Sequence, residues 1–336
     1  MELFELIQTL TSAHGPSGDE GEIRTTISQL ASPYADEIMT DPMGNLIVHK
    51  KGDGPRVMFA AHMDSIGFIV THIEKEGVLR VGRLGGVDPK EVTYAPVRFH
   101  NGTCGLVAKD EKAEFGKLKL DECYLDIGAE NEEQAREMVR IGDTAVYGTP
   151  TVRQGDAVIS PYLDDRIACA VLLSALEGLR SSPNDLYFVF TVQEEVGLRG
   201  AKTASWAIDP DYGIVLDVTF SNDTPGGERT GTSRMGQGAA IKLMDSSVIC
   251  SREMVSRLEQ LAKDHGIPAQ RDIIQAGGTD GGPIHTTRTG VQTGGISIPC
   301  RYMHTPTEMV SLKDVSACIQ LVQAFARTEL QKLPQS

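Results

Sequence analysis

No stretch of this sequence is long and apolar enough to cross a membrane as a helix, and no two of its cysteines stand at C-x-x-C spacing. The six cysteines (Cys104, Cys123, Cys169, Cys250, Cys300 and Cys318) are scattered, which excludes a zinc ribbon and reads as reduced thiols of a cytosolic protein. A basic excess is missing too: 32 Lys and Arg stand against 46 Asp and Glu, a formal net charge of −14, so nucleic acid and anionic membranes are not expected partners. The opening Met1-Glu2-Leu3-Phe4-Glu5 lacks the basic start and apolar run of an export signal, and a cytoplasmic location is expected. There is no G-x-S-x-G elbow, no Walker loop and no H-E-x-x-H, which removes the commonest serine hydrolase, nucleotide and single-zinc protease readings. Aromatic residues are few, at 5%, but the 40% hydrophobic content is ordinary for a globular enzyme.

With 336 residues, one large α/β domain carrying an insertion, or two domains, is the expectation. Leu3, Phe4, Leu6, Ile7 and Leu10 recur at helical spacing, and Ile23, Ile27 and Leu30 mark a second helix, with Ser17 and Glu20 resembling a capping box before it. Short β-rich runs follow at Asn45 to Val48 and Arg56 to Ala61. From about 70 to about 156 the pattern changes to many short β-prone runs, among them Val78 to Val81, Val92 to Phe99, Thr103 to Val107 and Ala145 to Tyr147, with one helix at Glu132 to Ile141. That reads as a small β-barrel or sandwich set into the chain. Helix and strand then alternate again to a final helix at Leu312 to Leu330, as a layered α/β sheet requires. Pro225 to Gly238, rich in glycine, reads as a surface loop over the site.

Five segments each deliver a metal-capable side chain to a strand end or helix start: His62, Asp164, Glu194 with Glu195, Asp217 and His304. In His62-Met63-Asp64 the two polar side chains face the same way on a strand, so the Asp64 carboxylate can hold one imidazole nitrogen while the other binds metal. Glu194 and Glu195, as strand neighbours, point apart, leaving one for an ion and the other for a water. Asp164 and Asp165 precede an apolar helix, where capping is the competing role, the stronger one for Asp165. Asp217 ends an apolar strand, where an Asx turn competes. Imidazoles and carboxylates without thiolates suit zinc, cobalt or manganese, and one bridging carboxylate can hold two ions about 3.5–4 Å apart. The remaining histidines, His14, His49, His72, His100 and His265, read as surface or loop residues, with His285 less settled because it follows the turn Gly277 to Gly282.

Ala61-His62-Met63-Asp64-Ser65-Ile66-Gly67, Leu163-Asp164-Asp165-Arg166, Gln193-Glu194-Glu195-Val196-Gly197, Leu216-Asp217, Gly277-Gly278-Thr279-Asp280 and the run from Ile296 to His304 resemble, in this order, the motifs of the tetrahedral (TET) aminopeptidases of metallopeptidase family forty-two. The resemblance implies a three-layer α/β/α, zinc-peptidase-like catalytic domain over 1–70 and 157–336, interrupted at 71–156 by a β-rich, PDZ-like or β-barrel domain used in oligomerisation. His62 and Asp217 would hold a first ion, Asp164 would bridge, Glu195 and His304 would hold a second, Asp64 would orient His62, and Glu194 would be the general base. Two divalent ions per subunit, zinc or cobalt before manganese, short peptide substrates, and a dimer-based homo-oligomer up to a dodecamer follow from the same likeness. The sequence departs from many relatives at Gly281-Gly282 and Thr305, which bears on side-chain preference and not on the ligands. Two other classes stand beside this reading. One is a related amidohydrolase, deacylase or glycan hydrolase, and the other is a catalytically silent assembly protein.

Overall fold

Four strands carry apolar residues on both faces, as the centre of a parallel sheet demands. They are Asp185–Thr191, Arg56–His62, Tyr212–Phe220 and Gln292–Arg301, hydrogen-bonded in that order and all parallel. The computed structural model describes residues 1–226 and 231–332, so part of the glycine-rich loop expected at Pro225 to Gly238 lies outside the described residues. Antiparallel strands extend the sheet at both sides. Leu46–Lys50 and Glu37–Thr40 continue it beyond Asp185–Thr191. Glu308–Ser311, Ala157–Ser160 and Val152–Gln154 continue it beyond Gln292–Arg301, which also pairs with Ala239–Met244. The sheet has 11 strands among the described residues.

The period-two alternation of a strand divides these residues between two apolar layers. Val57, Phe59 and Ala61 join Leu186, Phe188 and Phe190 under the helices Leu3–Ser12, Gly21–Ala31, Leu163–Glu177, Arg252–Asp264 and Leu312–Arg327. Met58, Ala60 and Val189 face the other way, toward Ala201, Ala204 and Ile208 of the helix Arg199–Ile208 and Ile284 of Gly281–His285. Phe59 stacks on Phe188 at 5.2 Å between ring centroids and meets Phe325 edge-on at 6.1 Å, which locks the sheet to the last helix. The molecule is therefore a three-layer α/β/α sandwich.

Gly67–Ile73, Leu79–Leu84, Cys123–Asp126, Cys104–Lys109, Pro96–Phe99 and Thr144–Tyr147 close into a six-stranded barrel with its own apolar interior. The barrel begins at Gly67, and Val152–Gln154 already pairs in the large sheet, a few residues away from the expected limits of 71 and 156. One expected strand is different: Pro89–Val92 is a short helix capped by Asp88, whose side chain accepts from the Lys90 amide, and the strand starts only at Pro96. The barrel is keyed to the sandwich by Tyr162, which lies in the barrel core, stacks on Tyr147 at 5.6 Å and accepts a hydrogen bond from the Tyr147 amide.

Candidate metal centre

In an open α/β sheet the crevice at the carboxyl ends of the parallel strands is where groups from separate segments converge. Arg56–His62 ends on His62, directly opposite Thr191 in the register, so the turn Gln193 to Leu198 that follows Thr191 lies beside it. Asp217 sits near the end of the neighbouring strand, opposite Ser297, and the chain leaving Gln292–Arg301 carries His304 to the same rim. Asp164 arrives from the other direction, at the start of the buried helix Leu163–Glu177, where both Asp164 and Asp165 have non-helical backbone angles.

The structure brings all five sequence-expected ligands together. The Asp164 carboxylate presents its two oxygens to two imidazoles: Oδ1 is 3.1 Å from His62 Nε2, and Oδ2 is 3.1 Å from His304 Nε2. Glu195 Oε2 lies 3.5 Å from His304 Nε2, while Glu194 Oε2 lies 3.8 Å from His62 Nε2. The adjacent glutamates therefore divide between the two histidines, the outcome expected of neighbours that point apart, although both lie in the turn beyond the strand. Ligand-capable atoms of His62, Asp164 and Glu195, and separately of His62, Asp165 and Asp217, lie within 4.8 Å of one another.

Whether ions fit can be judged from the oxygens left over. Glu195 Oε1, Asp165 Oδ1 and Asp280 Oδ1 are buried with no hydrogen-bond partner. A buried carboxylate oxygen without a donor is costly, and a divalent cation is the simplest counter-charge for several at once. The donor set of imidazole nitrogen and carboxylate oxygen, with the Cys169 thiol directed to the His62 carbonyl, fits a borderline divalent ion. His62, Asp164, Asp217, Glu195 and His304 would hold such ions.

Electrostatics agree. Burial raises the pKa of Glu194, Asp165 and Asp217 well above the carboxylate range, with nearby acids adding to the effect, and lifts Glu195 to about 7 and Asp280 to about 6. Asp164 is the exception. Burial opposes its charge, but hydrogen bonds from His304 and His62 outweigh that and hold it well below the usual range. Burial also works against the charge on His304, yet Glu195 and Asp164 raise it to about 10. Acid crowding on this scale is found where a site is built to take up positive charge.

Several supports were not legible in the sequence. Asp64 was expected to hold the His62 ring with its carboxylate. The carboxylate lies beside the ring, with Asp64 Oδ1 3.6 Å from His62 Nδ1, but the shorter contact to Nδ1 is the Asp64 backbone carbonyl at 3.1 Å. The Asp64 carboxylate accepts from the backbone amides of Glu194 at 3.0 Å and Glu195 at 3.3 Å, so it fixes the turn that carries both glutamates. Ser17 and Glu20 form no capping box. Ser17 Oγ donates to Asp64 Oδ2 at 2.6 Å, and Glu20 Oε1 accepts from the Gly18 and Gln193 amides. Glu308 repeats the device: its two carboxylate oxygens accept from the amides of Asp164 at 2.9 Å and His304 at 2.8 Å. Asp165 is not a surface cap but is fully buried, with Oδ2 accepting from the His62 amide.

Of the histidines read as surface or loop residues, His14 and His49 are buried. His14 lies 2.8 Å from Thr144 of the barrel, and His49 lies 2.6 Å from Asp185; neither reaches the cage. His285 Nδ1 is 3.0 Å from the Gly281 carbonyl of its own helix. Arg301 makes a two-point pair with Asp223, and Arg288 binds the Trp206 carbonyl and Asp209, so both guanidinium groups are already matched.

Because Ser17 donates a hydroxyl hydrogen bond to Asp64, Ser17→Ala is expected to destabilise the fold by about 1.5–3 kcal/mol, the range for a hydrogen bond to a charged group. It should also lower kcat by about 10- to 100-fold, as loss of support behind a metal site does. Chemical denaturation and steady-state kinetics on the same preparation check both.

The sequence profile described as M42 glutamyl aminopeptidase matches residues 44–321. A lysyl aminopeptidase of Pyrococcus furiosus is 36% identical over 96% of this chain and 96% of its own. Among solved structures, aminopeptidase APDkam598 from the archaeon Desulfurococcus kamchatkensis matches with a TM-score of 0.92 at 37% identity, over 97% of this chain and 94% of that one. The TET1 peptidase of Pyrococcus horikoshii, which can assemble into a tetrahedron or a large octahedral shell, matches with a TM-score of 0.88 at 31% identity, over 97% and 99%.

Proposed function

This chain belongs to the M42 glutamyl aminopeptidase family of metal-dependent peptide hydrolases, and from that membership we propose that it removes N-terminal residues from short peptides with two divalent ions per subunit. The observation that carries the dinuclear reading is Asp164, one buried carboxylate whose two oxygens each face a different imidazole at 3.1 Å. His62 and Asp217 would hold the first ion and His304 and Glu195 the second, with Asp164 within reach of both. Bound there, the ions would polarise the scissile carbonyl and make a water acidic enough to attack near neutral pH. Zinc and cobalt suit the donors best, then manganese.

Glu194 does the proton work in this reading. Its carboxylate is buried beside His62 and raised in proton affinity by burial, and it is not among the ligands proposed for either ion. It takes the proton of the attacking water and delivers it to the leaving amine. Asp64 and Glu308 hold the backbone on which Glu194, Glu195, Asp164 and His304 stand, which keeps their side chains in place for the reaction. The sandwich over 1–70 and 157–336 would be the catalytic domain, and the barrel within 71–156 would also serve assembly into a closed homo-oligomer. The shells formed by the TET1 peptidase support that assignment.

Stripping the protein with a chelator is expected to abolish cleavage of aminoacyl-anilides, and adding zinc, cobalt or manganese should restore it with two ions bound per subunit. N-acetylated amides and a soluble glucan should remain intact, because the reading requires a free α-amine. Hydrolysis that survives chelation, or that prefers the acylated substrates, would return the alternatives of deacylase or glycan hydrolase.

A further inference from the structure

The barrel reaches into the cage. Its strands Gly67–Ile73 and Leu79–Leu84 form a hairpin, and the chain leaving the second runs through Gly85-Gly86-Val87 before the short helix Pro89–Val92. Val87 and Val92 are buried in the barrel core, so this turn is rooted in the barrel and not in the sandwich. Its backbone nevertheless lies against two ligands of the second ion position. The Gly86 carbonyl is 3.0 Å from His304 Nδ1, a contact spanning 218 residues of sequence.

The two glycines are what permit the approach. A Cβ on Gly86 would stand 2.5 Å from His304 Nδ1 and 2.8 Å from its Cε1. At Gly85, whose φ is +77°, a Cβ would stand 2.9 Å from Glu195 Oε2 and 2.7 Å from Ile66 Cγ2. Any side chain at Gly86 would therefore drive the His304 ring away, and one at Gly85 would push on Glu195.

The contact also decides which nitrogen of His304 is free. A carbonyl only accepts, so Nδ1 carries a proton, and Nε2, which faces Asp164 Oδ2 and Glu195 Oε2, is the nitrogen left to bind an ion. His62 has the equivalent support from the carbonyl of Asp64, two residues along its own loop. His304 has it from another domain. Moreover, the His304 backbone is left-handed, with φ +62°, a conformation a histidine keeps only when its surroundings fix it, so the ring depends on outside contacts for its aim.

We propose that Gly86 is a positioning residue of the metal centre: through its carbonyl the inserted barrel sets the tautomer and aim of His304, so the affinity of the second ion position depends on the barrel being seated on the sandwich. The proposal rests on the reading of His304 and Glu195 as the second ligand pair. It gives the barrel a part in the chemistry in addition to assembly.

Cobalt titration of the chelator-stripped full chain, followed by visible absorption and by metal content after gel filtration, tests it. Gly86→Ala is expected to weaken one of two binding events at least tenfold and leave the other unchanged. Gly116→Ala is the matched barrel control, because a Cβ there meets nothing within 4 Å, and it should bind like wild type. His304→Ala should lose the same single event. If His304→Ala keeps two unaltered events, the underlying ligand assignment is overturned; if it loses one while Gly86→Ala binds as wild type, the assignment stands and the barrel's role is overturned. In the wild-type protein, whether or not the variant folds, long-range proton–nitrogen spectra of 15N-histidine protein loaded with zinc should show His304 protonated at Nδ1 and bound through Nε2. Binding through Nδ1 overturns the proposal.

Discussion

Glu194→Gln should retain both ions and lose about a thousandfold or more in kcat, equivalent to about 4 kcal/mol of transition-state stabilisation. The amide keeps the shape of the side chain, and the Asp64 carboxylate contacts the Glu194 backbone amide, so the turn is undisturbed. What disappears is a group able to take up a proton. Because the substitution leaves the Asp164, His62 and His304 contacts alone, KM for a small aminoacyl-anilide should change little. The measurement is kcat alongside metal content on one preparation. Full occupancy with wild-type turnover would sink the base assignment, and lost occupancy would move Glu194 into the ligand set.

Asp164→Asn tests the other half of the site and should be equally severe for a different reason. Asparagine offers one oxygen where Asp164 offers two, and its NH2 must then face either His62 or His304. One ion position loses an anionic ligand and gains a donor pointed at it. At least a hundredfold loss of affinity at one position is expected, beyond the 10- to 100-fold typical of changes behind the ligands, with turnover falling below detection. Calorimetric titration with zinc reads this directly. Asp165→Asn gives the contrast: Asp165 Oδ2 accepts from the His62 amide and Oδ1 is unpartnered, so its loss should be milder if the shared carboxylate is Asp164 alone.

The candidate ligands were legible because each stands at or just past a strand end, or at a helix start, in a recognisable string, and the rim of an α/β sheet is where it gathers a site. His62, Asp164, Glu194, Glu195, Asp217 and His304 all converge, as that logic demands. What stayed hidden was the support. Ser17 and Glu20 have the spacing of a capping box, and nothing local reveals that the hydroxyl is spent on Asp64 47 residues away. Glu308 sits four residues past His304 with no pattern of its own, because its role is to accept main-chain amides, which carry no sequence signature. Gly85-Gly86 carries no local sign of its role, and the ring that presses on Gly86 belongs to the far end of the chain. Side-chain chemistry is written in the sequence, whereas backbone contacts between distant segments appear only once the chain is folded.

The strand Gln292–Arg301 binds the sheet together, pairing with Tyr212–Phe220 on one side and with Glu308–Ser311 and Ala239–Met244 on the other, and it carries the chain to His304. A ribosome delivers this strand after most of the protein has been made. Until it emerges, Asp164 Oδ2 and Glu195 lack the His304 imidazole, and the sheet lacks the rung that joins its halves. On the proposed ligand assignment, the nascent chain lacks a complete centre for most of its synthesis. On that assignment catalytic competence comes with the closing of the sheet, and a fragment stalled short of residue 300 is expected to show no peptidase activity.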